Sequence, residues 1–403
     1  MECVTTPVTN SEMPAERPIA LRKTPLNALH RRMGARMVNF GGWVMPVEYP
    51  ANGGLIAEHK AVRNGVGVFD VSHMGDIRIR SGKTAGGALA AVQHLSMNDA
   101  AKLAIGQAHY SAMLYPAGTF VDDVIVHRMG EDDFLFVINA GTREKDISWV
   151  RENTKDFDCV VEDLSDAYTQ MAIQGPRAVD VLKKLTDANP DAIKNYWFTQ
   201  GTVCGLANRL IARTGYTGED GFEVYVPSDV ATSERVWNAV LEAGQQFDIL
   251  PCGLGARNTL RLEAKMALYG HEISESINVW EAGLDRYCKM EKRDFIGRAA
   301  LAKASASGLE RELVGLQMME RGIARDEYTV FDAAGEKVGV VTSGSPSPTL
   351  GANIALAYVP PALAGLGTNL FVEVRTQRVK ARVVPTPFYK RVRKSPQQAA
   401  VSN

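Results

Sequence analysis

The chain carries two different hydrophobic patterns, and the change between them near residue 310 limits what it can fold into. Before that point, stretches that alternate polar and apolar residues, such as 76–80, are followed by Ala- and Leu-rich stretches with helical spacing, such as 83–95. After it, helical patterns almost vanish, and short apolar runs are separated by Gly, Pro and Ser turns. The first pattern predicts an α+β region, and the second predicts a small all-β barrel or sandwich.

Strand, tight turn and helix occur twice in the first region, and Thr142 is the expected N-cap of the first of these helices. No GxGxxG loop follows a strand, so the repetition favours ferredoxin-like units over a doubly wound dinucleotide-binding sheet. The predicted strands and helices of this part are 134–138, 144–153, 170–173, 178–185, 222–226 and 233–247. The predicted strands of the second region are 312–316, 337–342, 354–359 and 370–374.

The length of 403 residues fits two or three domains at about 150 residues each. Polar, proline-containing sequence predicts a flexible N-terminal tail at 1–22, and a basic and then polar segment predicts a second tail at 391–403. Between them we predict a functional α+β region at 23–305 and a C-terminal β-barrel domain at 306–390.

Composition and simple motifs exclude several classes of partner. The net charge of −1 gives no basic surface for phosphates, so we expect no nucleic-acid partner. No apolar run approaches the ~18 residues of a membrane helix. The N-terminal segment has no apolar signal core and contains Glu2, Glu12 and Glu16, so we expect a cytoplasmic protein without a membrane partner. The five scattered cysteines form no CxxC pair and the seven histidines no HExxH, so we expect neither a disulfide framework nor a metal site.

Two adjacent carboxylates, Asp122 and Asp123, precede an apolar strand at 124–126. Neighbouring side chains on an extended chain point to opposite faces, so one carboxylate is expected to face inward and the other solvent. An inward carboxylate is costly unless it meets a cation or hydrogen-bond donors. Taken alone, the pair is more typical of a turn with two solvated acids, and both interpretations stay open.

A glycine-rich segment at 214–223 has three glycines within seven residues, which permits unusual backbone angles and close approach of a ligand. A long hairpin turn explains these glycines but not the presence of Tyr216, Glu219 and Asp220 among them. A carboxylate on such a loop can accept two parallel hydrogen bonds from an amidine-like edge, such as that of a pterin or a guanine.

The segment 252–266 begins with glycines and continues as a predicted helix on which Arg257, Arg261 and Lys265 form a basic stripe. Such a stripe is typical of a solvated face, and we favour that interpretation for Lys265. Arg257 lies near the start of the helix, where a cation opposes the helix dipole, so its position indicates an anionic partner.

A hydroxyl-rich segment at 341–350, with Arg325 upstream, is more typical of a turn-rich barrel loop than of a catalytic motif. The sequence contains no nucleophile elbow, P-loop or kinase signature. The residues by themselves therefore predict an α+β enzyme with a pocket lined by acids and arginines.

These segments, in this order, closely resemble the glycine cleavage system T-protein family of folate-dependent aminomethyltransferases. The resemblance extends over most of the chain, and so many collinear motifs are far more specific than any one of them. The matching segments are 24–26, 40–46, 69–75, 122–123, 215–219, 253–264, 268–270, 294–298, 342–350 and 385–389.

The resemblance implies a three-domain cloverleaf, in which two ferredoxin-like domains and a C-terminal β-barrel surround a central folate pocket. It also implies a reaction, in which an aminomethyl group passes from the lipoyl arm of H-protein to tetrahydrofolate. The products would be 5,10-methylenetetrahydrofolate, ammonia and the dihydrolipoyl protein. Lipoylated H-protein and tetrahydrofolate are thus the implied partner and cosubstrate, with no metal.

By the same resemblance, Asp122 is the catalytic carboxylate near N5 and N10 of the folate, where it orients the amine nucleophile and stabilises the developing cation. Glu219 is implied to grip the pterin edge. For Met74 a core role stays an alternative. The remaining implied pocket residues are Arg257, Arg325, Tyr389, Met74, Tyr110, Asn139 and Tyr216.

The chain departs from the family pattern at Asn258, Lys265 and Arg286, where Asp, a small residue and an aromatic residue are usual. In the family, the aromatic residue at this position can form a wall of the pterin pocket. Here either cation–π stacking by Arg286 or the ring of Tyr287 can replace it. These departures leave an alternative open, a T-protein-like demethylase that moves a methyl group from a small methylated compound to tetrahydrofolate. A folate-binding iron–sulfur assembly factor is disfavoured because its Lys-Gly-Cys motif is missing, and a flavin-linked dehydrogenase because no flavin domain is expected.

Overall fold

The computed structural model describes residues 20–292 and 294–391. The predicted flexible tails at 1–22 and 391–403 therefore lie almost wholly outside the described residues. Arg22, at the edge of the first tail, forms a β-bridge with Trp43, and its guanidinium lies 4.8 Å from the centre of the Trp43 ring. No helix in the described ranges has the length and apolar character required to cross a lipid bilayer.

Helices and strands alternate up to residue 307, and the described residues after it form strands and one short 3₁₀ helix, Pro361–Leu363. In chain order, helices α1 to α8 are Asn27–Arg32, Gly54–Asn64, Gly87–Leu95, Arg143–Thr154, Ala178–Leu182, Val230–Gly244, Leu254–Glu263 and Arg298–Ser307. Strands β1 to β10 are Arg36–Phe40, Trp43–Glu48, Gly67–Asp70, Gly75–Ser81, Ala108–Leu114, Phe120–Gly130, Asp133–Ile138, Cys159–Asp163, Tyr168–Gln174 and Phe198–Val203. Strands β11 to β19 are Leu206–Ala212, Gly221–Pro227, Leu250–Cys252, Glu312–Met318, Thr329–Phe331, Lys337–Ser347, Ala352–Val359, Asn369–Val374 and Gln377–Val384.

The first sheet has five antiparallel strands in the order β5-β6-β7-β4-β8, with α3 and α4 packed against it. Its chain order β4-α3-β6-β7-α4-β8 is the βαββαβ order of a ferredoxin-like unit, with β5 added as a hairpin partner of β6 at the edge. Helix α3 begins at Gly87 rather than at the predicted position 83. The reason is that the backbone N–H groups of Lys83 and Thr84 donate to the carboxylate of Asp158 instead of starting a helix.

The second sheet has six strands in the order β10-β11-β12-β9-β3-β13. Strand β3 precedes the whole first unit in the chain, yet it lies between β9 and β13, antiparallel to the former and parallel to the latter. The two units are therefore not consecutive in sequence. Residues 71–74, which join β3 to β4, pass directly from the second sheet to the first.

A buried hydrogen-bond network anchors this crossing at Asp70. The carboxylate of Asp70 accepts hydrogen bonds from the Thr24 hydroxyl at 2.7 Å, from Nε2 of His30 at 3.0 Å and from the backbone N–H of Ser72 at 3.0 Å. Burial by itself would raise the pKa of Asp70. The hydrogen bond and charge of His30, together with hydrogen bonds from the hydroxyl groups of Ser72 and Thr24, lower this pKa to about 2. The carboxylate thus stays charged and holds the crossing segment in place.

The C-terminal strands close into an antiparallel barrel in the order β14-β17-β16-β15-β18-β19. The predicted α+β class with a C-terminal β-barrel is confirmed. The hydrophobic pattern did not predict β15, which is only three residues long, or β19, in which Val379, Ala381 and Val383 face the core between charged residues.

One hydrophobic cluster joins the barrel to the rest of the molecule. It contains Leu114 of the first sheet, Leu262 at the end of α7, and Leu356 and Tyr358 of β17. The barrel thus packs on α7 and on the segment that follows it.

Candidate active site

A cavity of about 380 Å³ lies where the two sheets meet the segment that follows α7. This volume is within the range of small-molecule sites. Its walls come from β5 to β7, the crossing segment, the glycine-rich loop with β12, and residues 264–287, whereas no described residue of the barrel lines it. Five of the predicted site residues line the cavity: Met74, Tyr110, Asn139, Tyr216 and Arg257.

The Asp122–Asp123 pair lies on β6, where the two side chains face opposite sides of the strand as alternation predicts. Asp123 lines the cavity, whereas Asp122 is fully buried behind it and does not. The face of β6 that meets the cavity is thus the one that carries Asp123, and the catalytic role implied for Asp122 stays a prediction.

Asn139, directly after β7, bridges the two carboxylates. Its side-chain Nδ2 donates to Oδ1 of Asp122 at 2.8 Å and to Oδ1 of Asp123 at 2.7 Å. Asp122 also accepts hydrogen bonds from the hydroxyl of Thr142 at 2.8 Å and from the backbone N–H of Asn139 at 3.2 Å. Thr142 does stand at the N-cap of α4, but its hydroxyl donates to Asp122 and caps no backbone N–H of the helix.

A third carboxyl group, Asp146, lies buried in the first turn of α4. Burial, then the charge of Asp122, raise the pKa of Asp146 to about 11, and its two oxygens have no partner that is a hydrogen-bond donor among the described residues. Asp146 therefore carries a proton at neutral pH and can donate it to Asp122. Burial, then the charge of Asp122, raise the pKa of Asp123 to about 7.

Glu219 does not reach the cavity. Its carboxylate accepts a hydrogen bond from Nη1 of Arg63 at 3.0 Å, and Nη2 of the same guanidinium donates to Glu263 at 2.8 Å. The ring of Tyr389 covers this guanidinium at 4.0 Å. Glu219 and Tyr389 thus belong to a buried ionic cluster of Arg63, Glu219, Glu263 and Tyr389, here called the Arg63 cluster, which ties α2, α7 and the barrel end together. Glu219 and Tyr389 therefore lie outside the cavity wall, and the folate contacts implied for them stay predictions.

Arg325 is a further implied pocket residue that lies elsewhere. It is exposed in the barrel loop before β15 and does not line the cavity. Its neighbour Asp326 lies 3.3 Å from Nδ1 of His271, a residue that does line the cavity.

The acid that the glycine-rich segment does bring to the cavity is Glu223, on β12. Its carboxylate accepts a hydrogen bond from the hydroxyl of Thr214. Burial raises the pKa of Glu223, while the Thr214 hydrogen bond and the charge of Arg257 lower it by less. The sequence analysis missed this residue, although an isolated acid within the apolar strand 222–226 was a detectable signal.

Gly215 allows the glycine-rich loop to close onto β9. A Cβ atom at this position would lie 2.0 Å from Oε1 of Gln174, whose Nε2 donates to the carbonyl of Thr214 at 3.0 Å. A larger residue would therefore push Thr214 and Tyr216 away from the cavity wall.

Arg257 and Tyr216 form another part of the cavity wall. The guanidinium of Arg257 lies 4.5 Å from the centre of the Tyr216 ring and pairs with no carboxylate in the described ranges. The cavity thus presents an unpaired positive charge, as the position near the start of α7 indicated. Met74, whose Sδ is 4.0 Å from Nη2 of Arg257, both lines the cavity and packs against the core around Phe69.

Aromatic rings cover one side of the cavity. The rings of Tyr110 and Tyr287 lie with their centres 4.7 Å apart, and the guanidinium of Arg286 is 4.5 Å from the centre of the Tyr287 ring. Tyr287 and Arg286 both line the cavity, and the guanidinium of Arg286 stacks on the Tyr287 ring. The buried hydroxyl of Tyr110 faces the carboxyl group of Asp123.

A larger depression of about 710 Å³ lies along the edge strand β10. The charged residues that line it are Asp187 and Lys194. Asp187 accepts a hydrogen bond from the backbone N–H of Thr202 at 2.7 Å. The ammonium group of Lys194 lies 5.6 Å from the centre of the Trp197 ring. Its charged groups already have partners, so the cavity at Asp123 is the candidate active site.

Comparison with known proteins gives the family. A family model described as the GCVT N-terminal domain matches residues 26–292, and one described as the glycine cleavage T-protein C-terminal barrel domain matches residues 311–390. The chain belongs to the glycine cleavage T-protein family. The resemblance seen in the sequence motifs is thereby confirmed.

Named relatives of the T-protein family match over nearly their whole length. The chain is 66% identical over 383 residues to the aminomethyltransferase of Acidobacterium capsulatum, covering 95% of this chain and 100% of that protein. It is 64% identical to the aminomethyltransferase of Koribacter versatilis, covering 93% and 98%. The crystal structure of glycine cleavage system aminomethyltransferase T from Bartonella henselae superimposes with a TM-score of 0.85 at 33% identity, covering 92% and 98%.

Within the part of the chain that the structure describes, no group of three or more His, Cys, Asp or Glu side chains is arranged to hold a metal ion.

Proposed function

We propose that this T-protein family member transfers an aminomethyl group from the lipoyl arm of an H-protein to tetrahydrofolate, with release of ammonia. The relatives named aminomethyltransferase support the reaction class. The observation that carries the proposal is the cavity itself, which joins a carboxyl group that titrates near neutrality, Asp123, to a second carboxylate, Glu223, and an aromatic wall.

The reaction requires two protons to move. The aminomethyl sulfide R–S–CH₂–NH₂ reacts with N5–H and N10–H of tetrahydrofolate to give R–SH, NH₃ and a methylene group that bridges N5 and N10. Ionised Asp123 accepts a proton from the attacking folate nitrogen, and protonated Asp123 returns it to a leaving group. A carboxyl group with a pKa near the working pH is suited to both steps. Asn139 keeps this carboxyl group in one orientation through its hydrogen bond.

The second carboxylate, Glu223, takes the place that the sequence assigned to Glu219. It is positioned to accept two hydrogen bonds from the amidine-like edge of the pterin ring. Tyr110 and Tyr287 offer ring faces beside the cavity, and Arg257 offers a positive charge. In this proposal Asp123 acts at the reacting nitrogens, whereas Asn139 and Asp122 act through Asp123.

We expect Glu223→Gln to weaken the binding of 5-formyltetrahydrofolate about 10- to 100-fold. The reason is that the amide loses the charge and accepts only one of the two N–H groups, and hydrogen bonds to charged groups contribute about 1.5–3 kcal/mol. Isothermal titration calorimetry measures this affinity. Glu219→Gln is the matched control, since the Glu219 side chain is only 5% exposed in the Arg63 cluster and outside the cavity. An affinity loss that is larger for Glu219→Gln than for Glu223→Gln would contradict the assignment.

The proposed reaction is tested directly with aminomethyl-loaded lipoyl H-protein. We expect ammonia and 5,10-methylenetetrahydrofolate to form in equal amounts, and only when the enzyme, the loaded H-protein and tetrahydrofolate are all present. Methylated small molecules, namely an aryl ether, a sulfonium compound and a methylamine, serve as alternative donors. Turnover with one of these donors, together with none from loaded H-protein, would replace the proposal by the demethylase alternative.

A further inference from the structure

Asp146 is a buried carboxyl group that the proposed chemistry does not use. It lies in the first turn of α4 and is fully buried, and in the described part of the chain no N–H or O–H group donates to either of its oxygens. An acid in the first turn of a helix is usually stabilised by the free backbone N–H groups there. Asp146 accepts a hydrogen bond from none of them, so helix capping does not explain this residue.

The helix directs the side chain of Asp146 towards Asp122. Thr142 precedes Asp146 by four positions, and residues with this spacing lie on one face of a helix. The hydroxyl of Thr142 donates to Asp122 at 2.8 Å, and the carboxyl group of Asp146 faces that of Asp122 beside it. Both carboxyl groups are fully buried, so they meet without solvent between them.

Two carboxylates in contact inside a protein repel each other, so one of them keeps a proton. No cation among the described residues forms an ion pair with either one. Lys145, the neighbour on α4, donates instead to the hydroxyl of Tyr269 at 2.7 Å and lies 4.0 Å from Glu275. Burial, then the charge of Asp122, raise the pKa of Asp146 to about 11, which places the proton on Asp146. A protonated carboxyl group is a hydrogen-bond donor, and Asp122 is the acceptor that it faces.

Asp122 connects this contact to the cavity through Asn139. The side-chain Nδ2 of Asn139 donates to Asp122 at 2.8 Å and to Asp123 at 2.7 Å. The orientation of Asp123 thus depends on where Asn139 is held, and Asn139 is held in part by Asp122. Without a donor at position 146, one side of the buried Asp122 carboxyl group would lose its hydrogen bond and the group would be free to turn.

We infer that Asp146 is a positioning residue for the transfer, whose carboxyl group donates a hydrogen bond to Asp122 and, through Asn139, fixes the orientation of Asp123 in the cavity. The inference rests on the proposed function, because it takes Asp123 to be the group that moves protons at the folate nitrogens. It adds the requirement that the side chain at position 146, which is outside the cavity wall, be a hydrogen-bond donor.

Two substitutions of Asp146 separate the hydrogen bond from the volume of the side chain. In Asp146→Asn the amide still donates to Asp122, and we expect kcat for ammonia release from loaded H-protein to stay within about threefold of the unchanged chain. In Asp146→Leu the size is similar but the donor is lost. Here kcat should fall about 10- to 100-fold, since a displacement of about 1 Å at a reacting group can cost about 10²-fold. The affinity for 5-formyltetrahydrofolate, measured by calorimetry, should stay within about twofold in both variants, because Asp146 does not line the cavity.

Thr154→Val is the matched control for a buried polar group removed from the same helix. Thr154 is buried in the last turn of α4, where its hydroxyl donates to the carbonyl of Val150 at 2.7 Å, and this variant should keep its kcat. Infrared spectroscopy at about pH 9, well above the pKa of about 7 of Asp123, locates the proton. The difference spectrum between the unchanged chain and Asp146→Asn should contain the C=O stretching band of one protonated carboxyl group, which shifts in D₂O.

Full activity of Asp146→Leu, or a loss in Asp146→Asn as large as in Asp146→Leu, would overturn the inference and leave the proposed function standing. An equal loss in Thr154→Val, or a difference spectrum without the carboxyl band, would overturn it as well. Asp146→Ala removes the donor without adding apolar volume and replaces Asp146→Leu if that variant does not fold. Absence of ammonia release by the unchanged chain would overturn the proposed function itself, and the infrared band would still decide whether Asp146 holds the proton.

Discussion

Replacing Asp123 by asparagine is expected to lower the rate of aminomethyl transfer about 10²- to 10⁴-fold while folate binding and folding are retained. Asparagine keeps the size and can still accept the hydrogen bond from Nδ2 of Asn139, but it can neither take up nor return a proton at the folate nitrogens. The rate is measured as ammonia release from loaded H-protein, and folate affinity by calorimetry on the same preparation.

Asp122→Asn is the matched comparison, one residue away on the same strand and outside the cavity. We expect it to keep substantially more activity than Asp123→Asn and to change the pH profile. For the unchanged chain, kcat/KM should rise with pH and level off above about 7, because only ionised Asp123 accepts a proton. Asp122→Asn removes the charge that, after burial, holds this pKa up, so the half-point should move to lower pH.

The opposite ranking would contradict the assignment of roles. If Asp122→Asn abolishes turnover and Asp123→Asn does not, the carboxyl group that the sequence resemblance indicated is the reacting one. An unchanged pH profile in Asp122→Asn would show that the charge of Asp122 does not affect the pKa of Asp123.

Replacing Arg63 by methionine is expected to reduce the free energy of unfolding by about 3–5 kcal/mol. Glu219 and Glu263 would then be buried without a cation, since their side chains are 5% and 0% exposed. The ring of Tyr389 would also lose the guanidinium that it covers. Urea unfolding followed by tryptophan fluorescence measures the change.

Arg80→Met is the control for the loss of an ion pair at the surface. Arg80 pairs with Glu162 at 2.6 Å, but the two side chains are 44% and 38% exposed, so we expect a change of about 0–1 kcal/mol. Equal losses for the two variants would mean that the Arg63 cluster does not act as a buried lock.

The effect of Arg63→Met should also depend on pH. Burial would raise the pKa of Glu263, but the hydrogen bond and charge of His59, then Ser347 and Arg63, lower it to about 2. A carboxyl group with a lowered pKa contributes stability above its ordinary pKa of 4.5, and this contribution is lost as pH falls toward 2. The difference between the unchanged chain and the variant should therefore be smaller at pH 3 than at pH 7.

Local sequence was enough to predict most strands and helices, because alternation and helical spacing depend on residues a few positions apart. Local sequence did not predict which sheet contains β3. That strand lies in the second sheet beside β9, about a hundred residues later in the chain, and no pattern within β3 records this pairing.

The same limit applies to the site. The sequence by itself determined the fold class, the position of the barrel and the segments that reach the cavity, including Tyr110, Asn139 and Arg257. Alternation required Asp122 and Asp123 to face opposite sides of a strand, but which side meets the cavity depends on how the second sheet packs against the first. Only the tertiary structure decided this choice.

Contacts between residues far apart in the sequence also determine which of two glutamates, Glu219 or Glu223, lines the cavity. Glu219 and Glu223 are four residues apart in one segment, and both are acids among glycines. Arg63, separated from Glu219 by 156 positions, pairs with Glu219, while β12 turns Glu223 into the cavity. Short-range sequence patterns indicate which residues can form a strand or a turn. The partner of a buried charge is instead determined by the folded chain, which brings an opposite charge within hydrogen-bonding distance.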